Sequence, residues 1–556
     1  MNKMKNKYKY GFLGIILIVS LGLYAFQDSV YFKINKAFDI FGALYREIAA
    51  NYVTEVDVDE LMKSGIQGML QSLDPYTVFY EEAETETIDM LTTGSYVGVG
   101  ISVNILDSML TVVDVNEGYS VQKSGLRVGD RIYKIDSTFV LRSTSEDLRD
   151  FTKGIPGTQL KMWVIRDGTS DTLLFTLKRE QIQLKNISYY GIIDSVAYIK
   201  LEGFTKSSAD ELRTALYTLK NRYKFSGIML DLRDNPGGLL ESAVSVCEMF
   251  VPKSSTIVTT KGRNNEYSYK SMVEPIVPTT PLVVLINQRS ASASEVVAGA
   301  IQDLDRGVIV GRLSYGKALV QSIFALPYQT NLKITTAKYF TPSGRCIQRL
   351  NLINKRFSKD KNGDNIIDTN VFYTSGGRKV LEYKGIMPDT TVDEEHIPEQ
   401  IKSLTENNYF FDFANIYCSN LNSLPENFKA DTKLVDNFIK YVEKHGKSNK
   451  SYMDVRLESL AKAAKEEGFS EYFSKQLGSL GKKITDEEKI ILKKNSDLVE
   501  RILNMEILRR LGTDESFFKE NLAHDKDVLT AIDIIKTSRY KKILATTGLV
   551  NPTKNN

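Results

Sequence analysis

The spacing of apolar residues changes three times along the chain and divides it into four regions. Residues 31–72 carry apolar and aromatic side chains at helical spacing, which predicts two or three amphipathic helices. From Ser95 the spacing becomes two, and short runs bounded by glycine predict a β-rich region that ends near residue 180. Apolar runs then alternate with helical patterns up to residue 395 and predict an α/β core. Residues 396–556, rich in Lys, Glu, Leu and Ile, predict further helices.

The α/β region has the clearest element boundaries. Apolar runs predict buried strands, and the amphipathic stretches between them predict helices. The predicted strands are Val196–Leu201, Gly227–Leu232, Pro281–Ile286 and Gly307–Gly311, and the predicted helices are Ala209–Tyr223, Leu239–Phe250 and Glu295–Asp303. Between Ser314 and Ser343, apolar alternation without a helical period predicts β-hairpins.

In the last region, two helices have recognisable ends. The first, Thr432–His445, is closed by Gly446. The second, Asp486–Leu511, is predicted to begin at a capping box formed by Thr485 and Glu488. No pattern in this region indicates chemistry, so we interpret its charged residues as solvated helix faces.

The N-terminus has the pattern of an export signal. Lysines at positions 3, 5, 7 and 9 precede the apolar run Gly11–Phe26. A helix of this length spans about 24 Å, less than the ~30 Å hydrocarbon core of a bilayer, which favours a cleaved signal peptide. The cleavage pattern is poor, however, so an uncleaved anchor in the inner membrane at residues 11–26 stays open. Both alternatives place the rest of the chain in the periplasm or another extracytoplasmic compartment.

Composition argues against several classes of function. Lys+Arg 72 against Asp+Glu 69 leave a net charge of +3, with no basic stripe beyond the start, so no nucleic-acid partner is predicted. Three scattered cysteines specify neither a disulfide framework nor a zinc site. Asp360–Asp368 matches part of a calcium loop but has Asn365 and Val371 where glycine and a bidentate acid are needed. We predict neither a metal ion nor an organic cofactor.

A candidate nucleophile lies between the strand Pro281–Ile286 and the helix that follows it. Ser292 is placed by this strand, turn and helix at a helix N-terminus, where free N–H groups favour developing negative charge. The simpler interpretation is that Ser292 and Glu295 form a capping box. The usual base, histidine, occurs only beyond this segment, at His396, His445 and His524.

Lys317 is an alternative base, because burial lowers the pKa of an ammonium group into the working range. It is followed by Ala318, Leu319 and Val320, and Gln321 falls on the same face of the predicted strand, where it could orient the lysine. A serine/lysine hydrolase is the resulting hypothesis. The alternative is a solvated lysine at a strand edge.

The segment Asn235-Pro-Gly-Gly238 follows a buried strand and is open to two interpretations. It forms a turn in which glycine supplies a positive φ, or its glycine amides approach a substrate carbonyl closely. In the second case Gly237, Gly238 and the amide of Ala293 form an oxyanion hole. We interpret Glu295 and Asp303, in the helix after Ser292, as structural residues and not as a triad acid.

Four separated motifs together resemble the C-terminal processing peptidases, also called tail-specific proteases, in their order and spacing. The motifs are Leu73–Thr77, Asp231–Gly238, Asn287–Asp303 and Gly316–Gln321. In that family the second serine of Ser-Ala-Ser-Ala-Ser-Glu is the nucleophile. The resemblance therefore implies that Ser292 is the nucleophile, Lys317 the base and Gln321 its support.

Residues 95–180 resemble a PDZ domain of the bacterial protease type. The resemblance is carried by Tyr96–Ile101 and by the string Gly125–Ile132. A glycine-rich turn before a strand can hold a peptide carboxylate on its N–H groups, and the strand edge can pair with the peptide. The predicted carboxylate-binding residues are Gly98, Val99, Gly100 and Ile101.

The family resemblance implies a multidomain α/β fold. A ClpP/crotonase-like α/β protease core is expected to carry an inserted, mainly-β PDZ domain and N- and C-terminal helical regions. The expected division is a signal peptide or anchor at 1–30, a helical region at 31–94, the PDZ domain at 95–180, the core at 181–395 and a helical domain at 396–556.

The implied function is that of an exported serine endopeptidase whose PDZ domain recognises protein substrates by their exposed, apolar C-termini. Homodimer formation through the terminal helices is a further hypothesis. One alternative is an inactive, PDZ-containing peptide-binding or chaperone-like scaffold, and the complete serine, lysine, glutamine and glycine motifs argue against it. An esterase or amidase on the same core is another, and the PDZ domain argues against that one.

Overall fold

The computed structural model describes residues 30–545 apart from several gaps, and the chain forms two compact units. The gaps are residues 83–87, 89, 91, 142–143, 145–150, 350–369, 383, 420, 422, 426–427 and 446–451. One unit contains the described residues up to Phe79 together with Ile323–Leu326 and Asn331–Ile334. The other contains the remaining described residues. The predicted signal or anchor at residues 11–26 and the loop Asp360–Asp368 lie outside the described residues.

The first unit is built on two helices, as the spacing over residues 31–72 predicts. Helix α1 covers residues 30–51 and α2 covers Val58–Gln71. Asp57 caps α2, because its side chain accepts from the N–H groups of Asp59 and Glu60. After α2, Asp74 accepts from the backbone N–H groups of Tyr76 and Thr77, a local turn that prevents the helix from continuing.

The β-rich region, Ser95–Gln183, forms an antiparallel sheet and a separate two-stranded ladder. The sheet has the order β3-β4-β5-β7-β8, with β6 paired to β5, and the ladder pairs β2 with β9. The strands are β2 Ser95–Gly98, β3 Ile101–Leu106, β4 Met109–Val115, β5 Arg131–Ile135, β6 Thr138–Phe139, β7 Gln159–Ile165, β8 Leu173–Lys178 and β9 Glu180–Gln183, with the short helix α3 at Ser120–Ser124. Strand β1, Val78–Tyr80, precedes them.

The α/β core contains a six-stranded sheet in the order β10-β11-β12-β15-β16-β21. Its strands are β10 Ile187–Ile193, β11 Val196–Leu201, β12 Gly227–Asp231, β15 Leu282–Ile286, β16 Val308–Gly311 and β21 Thr390–Thr391. All neighbouring pairs are parallel except β10 with β11. The carboxyl ends of β11, β12, β15 and β16 therefore meet at one edge of the sheet. The predicted strands are confirmed to within a residue at each end.

Helices and hairpins surround this sheet. The helices are α4 Ser208–Arg222, α5 Leu240–Cys247 and α6 Ala293–Asp303. The remaining strands of the region are β13 Thr256–Gly262, β14 Glu266–Lys270, β17 Leu319–Ala325, β18 Asn331–Phe340, β19 Val371–Tyr373 and β20 Lys379–Leu381. Strand β13 pairs with both β14 and β18, and β17 forms the predicted hairpin with β18.

The C-terminal third is helical, as predicted. Its helices are α7 Glu399–Glu406, α8 Tyr409–Ser419, α9 Thr432–His445, α10 Tyr452–Glu466, α11 Glu471–Lys494, α12 Ser496–Leu511, α13 Asp514–Ala523, α14 Lys526–Lys536 and α15 Arg539–Ala545. The predicted helix start at Asp486 is wrong, because Thr485 lies inside α11 and the break comes at Asn495. Residues three apart share a face anywhere along a helix, so a capping-box pattern does not by itself mark a helix start.

The two faces of the six-stranded sheet are covered by different parts of the chain. Side chains of α4, α5 and α6 form one core cluster with the inward residues of β11, β12 and β15. On the other face, Tyr198, Met229 and Val283 pack with Ile534 and Ile535 of α14. Helix α14, in the C-terminal third of the chain, thus covers the apolar side chains on this face of the sheet. No helix within the described residues is both long and apolar enough to cross a membrane.

Helix α14 offers a matched pair of sites for measuring this packing. Ile534 is fully buried, whereas Leu529 on the same helix is 49% exposed. We expect Ile534→Ala to lower the free energy of unfolding by about 2–5 kcal/mol, because it leaves a cavity against the sheet. Leu529→Ala should change it by less than about 0.5 kcal/mol. Hydrogen exchange of the β12 and β15 backbone amides measures the free energy of unfolding of each variant. Equal protection in the two variants would contradict the packing described.

Candidate active site

Ser292 occupies the N-cap of α6, directly after the loop that leaves strand β15. Its backbone has φ +55° and ψ −113°, a conformation that residues other than glycine rarely adopt. Such strain persists only where surrounding contacts enforce it, and it concentrates at functional sites. Here the Tyr339 hydroxyl donates to the Ser292 carbonyl at 3.2 Å, and the Ser292 N–H donates to Glu295 at 2.8 Å.

The capping box predicted for Ser292 and Glu295 is present in the structure. The Glu295 carboxylate does accept from the Ser292 N–H, which is one half of the box. The Ser292 side chain lies at the Glu295 N–H and completes the box, and the same N–H donates to the backbone carbonyl of Ser292 at 2.8 Å.

Glu295 connects the loop that carries Ser292 to the loop that carries Lys317. Its side chain is fully buried. One carboxylate oxygen accepts from the N–H groups of Ser292 and Lys317, at 2.8 and 2.9 Å. The other accepts from the Ser314 hydroxyl and the Gly316 N–H, both at 2.6 Å. The proposed nucleophile and base thus have their backbones fixed to the same oxygen atom.

The burial of Glu295 also changes its acidity. Removal from water raises the pKa of this carboxyl group to about 7, although its four hydrogen bonds act in the opposite direction. The local sequence around Glu295 predicts a structural role but does not indicate these contacts. Its partners Ser314, Gly316 and Lys317 come about twenty residues later, and only the tertiary fold brings them to it.

Lys317 and Gln321 lie on either side of the start of β17. Lys317 is half-buried in the irregular segment before the strand, and Gln321 lies within it. The Gln321 side-chain amide donates to the Thr335 hydroxyl of β18 at 3.3 Å. The next residue after Lys317 is also anchored, because the Ala318 N–H donates to Gln348 at 2.7 Å.

The segment Asn235–Gly238 packs directly against the loop that carries Ser292. Gly237 has φ +100°, and a Cβ placed there would lie 2.6 Å from the Ala291 carbonyl oxygen and 2.9 Å from the Ala293 nitrogen. At Gly238 a Cβ would lie 2.2 Å from the Phe204 carbonyl oxygen. Both positions therefore require glycine for space as well as for conformation.

The buried side chain of Asn235 fixes this segment and distinguishes its two glycines. Its amide donates to the Leu201 carbonyl at 2.8 Å, and its Oδ1 accepts from the Gly237 N–H at 2.9 Å. The Gly237 amide is thus already engaged. In the described part of the chain, the amides of Gly238 and Ala293 have no hydrogen-bond partner.

Asp303, at the other end of α6, has the structural surroundings that the sequence analysis expected. Its carboxylate pairs with Arg345 at 2.7 Å, and both side chains are almost completely buried. The Ser343 N–H donates to its second oxygen at 3.1 Å. This pair anchors the C-terminal end of the helix.

The predicted carboxylate-binding residues of the β-rich region form the link between β2 and β3. Gly98 ends β2, Val99 is buried, and Ile101 begins β3. Gly100 has φ +85°, and its carbonyl accepts from the Asn116 N–H at 2.9 Å. Within the described residues β3 is an edge strand of its sheet. The backbone N–H and C=O groups on its outer side therefore point away from its neighbour β4.

Comparison with known families accounts for most of the chain. Residues 195–354 match peptidase family S41, and residues 97–177 match the PDZ domain. Residues 26–85 match the N-terminal domain of the activating protease CtpB, and residues 400–535 match the C-terminal helical domain of probable PDZ-proteases. Within the described residues, no group of three His, Cys, Asp or Glu side chains is placed to hold a metal ion.

Several relatives are similar to part of this chain. The carboxy-terminal-processing protease of Bartonella bacilliformis is 35% identical over 317 residues, which cover 56% of this chain and 73% of the relative. The carboxyl-terminal-processing protease of Synechocystis is 32% identical over 52% of this chain and 69% of the relative. The solved photosystem II D1 C-terminal processing protease is 24% identical over 64% of this chain and 93% of that chain, with a TM-score of 0.35.

The fold and the matching regions together define a protease that contains a PDZ domain and a helical C-terminal domain. The chain belongs to the carboxy-terminal processing proteases of peptidase family S41.

The raised pKa of Glu295 predicts how stability depends on pH. The folded state holds the proton until about pH 7, whereas the unfolded state releases it near 4.5. The stability contributed by this group is therefore fully present below pH 4.5 and is lost as the pH rises through 7. Relative to Glu295→Gln, the wild-type free energy of unfolding should fall by roughly 3 kcal/mol over that interval. Urea titrations at several pH values measure this difference, and a constant difference would contradict the prediction.

Proposed function

We propose that this chain is an exported serine endopeptidase that hydrolyses peptide bonds with Ser292 as nucleophile and Lys317 as general base. The observation that carries the proposal is the convergence of both backbones on the buried carboxylate of Glu295. A serine and a lysine held by one rigid acceptor have the fixed relative position that nucleophilic catalysis requires. Family membership supplies the reaction class, proteolysis.

In the proposed mechanism, neutral Lys317 accepts the proton of the Ser292 hydroxyl as its oxygen attacks the peptide carbonyl. The protonated lysine then donates to the amine that leaves. Water attacks the resulting acyl-enzyme with Lys317 again as base, and Ser292 is regenerated. Gln321, on the adjoining strand, is proposed to orient the lysine through a hydrogen bond.

The oxyanion formed by this attack needs donors that are already in place. We assign this role to the amides of Gly238 and Ala293, because the Gly237 amide donates to Asn235. Gly237 contributes by close packing, which lets the two loops approach within the distance that a Cβ would block. The position of Ala293 in the first turn of α6 adds the favourable end of the helix dipole.

The PDZ domain is proposed to bind the C-terminal tail of the substrate. The link Gly98–Ile101 would receive the carboxylate on its amides, and the edge strand β3 would pair with the tail by β-augmentation. Export is supported by the basic and apolar pattern of residues 1–30. An inactive scaffold is the alternative function, and cleavage assays separate the two.

The catalytic assignment is tested with an unfolded polypeptide that ends in a free, apolar C-terminus. We expect wild-type protein lacking residues 1–30 to cleave it, and Ser292→Ala and Lys317→Ala to reduce kcat by a factor of about 10⁴ or more, because each removes a group that forms or breaks a bond. Lys333→Ala, on the neighbouring strand β18, is the control and should retain activity. Undiminished cleavage by Ser292→Ala would refute the nucleophile assignment.

Tail recognition is tested separately by amidating the substrate C-terminus. Removal of the carboxylate charge should raise KM by about tenfold, because a charge-assisted hydrogen bond is worth about 1.5–3 kcal/mol. Binding of the free and amidated tail peptides to Ser292→Ala, measured by calorimetry, should differ by the same factor. Equal affinity for the two peptides would show that the carboxylate is not recognised.

A further inference from the structure

An ion cluster at the carboxyl edge of the six-stranded sheet joins α14 to the segment before Asn235. Arg233 is at its centre. The Arg233 guanidinium donates to Asp231 at 2.6 Å on one side, and to Asp525 at 2.7 Å and Asp527 at 2.9 Å on the other. Arg312, which follows β16, also pairs with Asp527, at 2.8 Å.

These pairs are shielded from water. The Asp231 and Asp527 side chains are 1% and 3% exposed, and that of Arg233 is 13% exposed. Surrounding carboxylates raise the pKa of the Arg233 guanidinium further above its ordinary value, in spite of its burial. Removing one partner of such a buried pair leaves a charge uncompensated, and the remaining partner moves to find another.

On the side of α14, Arg233 is held by ion pairs and adjoins open space. A cavity of about 390 Å³ lies beside the cluster and is lined by Arg233, Arg312, Asp525 and Asp527. Asp527 Oδ1 and Arg312 Nε are buried there without a hydrogen-bond partner among the described residues, and Arg312 Nε lies 3.9 Å from the Glu394 carboxylate. Because open space adjoins the cluster, the guanidinium has room to shift when its acceptors are changed.

A shift of Arg233 would be transmitted directly to the proposed oxyanion donors. The Arg233 carbonyl accepts from Lys200, and Asp234, the next residue, has φ +64° and is fixed by hydrogen bonds with Asn287. Asn235 follows and holds Gly237. The backbone from Arg233 reaches Gly238 within five residues, and Asp234 and Asn235 are fixed along it.

We infer that Arg233 is a positioning residue for the oxyanion hole, held in place by Asp525 and Asp527 of the C-terminal helical region. The inference rests on the proposed serine protease function. It assigns α14 a positioning role in addition to its packing role, because two carboxylates at its N-terminus hold the arginine that precedes the proposed oxyanion loop.

The test uses the variants Asp525→Asn, Asp527→Asn and the double variant. Asparagine is also a favoured N-cap residue, so the start of α14 is preserved at position 525. We expect the double variant to lose about 10–100-fold in kcat with KM changed less than about twofold, because displacing an oxyanion donor affects only the transition state. The inhibition constant of a peptide aldehyde, whose hemiacetal oxygen occupies the oxyanion position, should rise by a similar factor.

Arg312→Gln is the matched control, since it removes a cation from the same cluster but does not contact the segment 233–238. Its kcat should stay within about twofold of wild type. Titration with a fluorophosphonate to completion counts folded active sites, so lost kcat is distinguished from lost protein. Should the double variant not fold, the single variants carry the test.

Three outcomes would overturn the inference. A kcat equal to that of the wild type in all the aspartate variants would overturn the inference and leave the proposed function intact. Equal losses in Arg312→Gln and in the aspartate variants would show a merely structural role. Absence of any Ser292-dependent cleavage by the wild type would overturn the proposed function together with the inference.

Discussion

The buried carboxylate of Glu295 is the constraint on which the candidate active site depends. Four donors reach its two oxygens, and they come from two loops that are distant in sequence. A buried carboxylate that lost these donors would be destabilised strongly, so the loops and the carboxylate stabilise one another. The strained backbone of Ser292 is maintained by the same contacts.

The carboxyl edge of the sheet provides a second, independent constraint. Asn235 is fixed from within the core by the Leu201 carbonyl, and Arg233, two residues before it, is paired with Asp525 and Asp527. Because α14 supplies both apolar side chains to the sheet and two carboxylates to this cluster, the C-terminal region is part of the structure that supports the site. Helix α14 is therefore packed into the core and is not a separate appendage of it.

Local pattern was sufficient to predict most of the elements. The strand before Ser292, the helix after it and the strand before Asn235 each have an apolar run of the right length and period. The error at Thr485 arose where two residues of a capping-box pattern sit in mid-helix, which no local signal distinguishes from a helix start.

Contacts between distant residues could not be predicted in this way. Arg233 and Asp527 are 294 positions apart, and no local sequence pattern around either residue indicates its partner. The same holds for Tyr339, whose hydroxyl reaches the Ser292 carbonyl. The family resemblance implied roles for Ser292, Lys317 and Gln321. It did not indicate that the Glu295 carboxylate accepts from the backbones of both Ser292 and Lys317, because that contact depends on tertiary geometry.

We propose that Ser292 is activated within a site that the Glu295 carboxylate holds together. The most direct test of this proposal is the rate at which a fluorophosphonate labels the protein, with the labelled peptide identified by mass spectrometry. We expect the label on Ser292 of the wild type, and labelling at least about tenfold slower in Glu295→Gln, whose amide cannot accept from all four donors. Labelling of a different residue, or equal rates in the two proteins, would contradict the account.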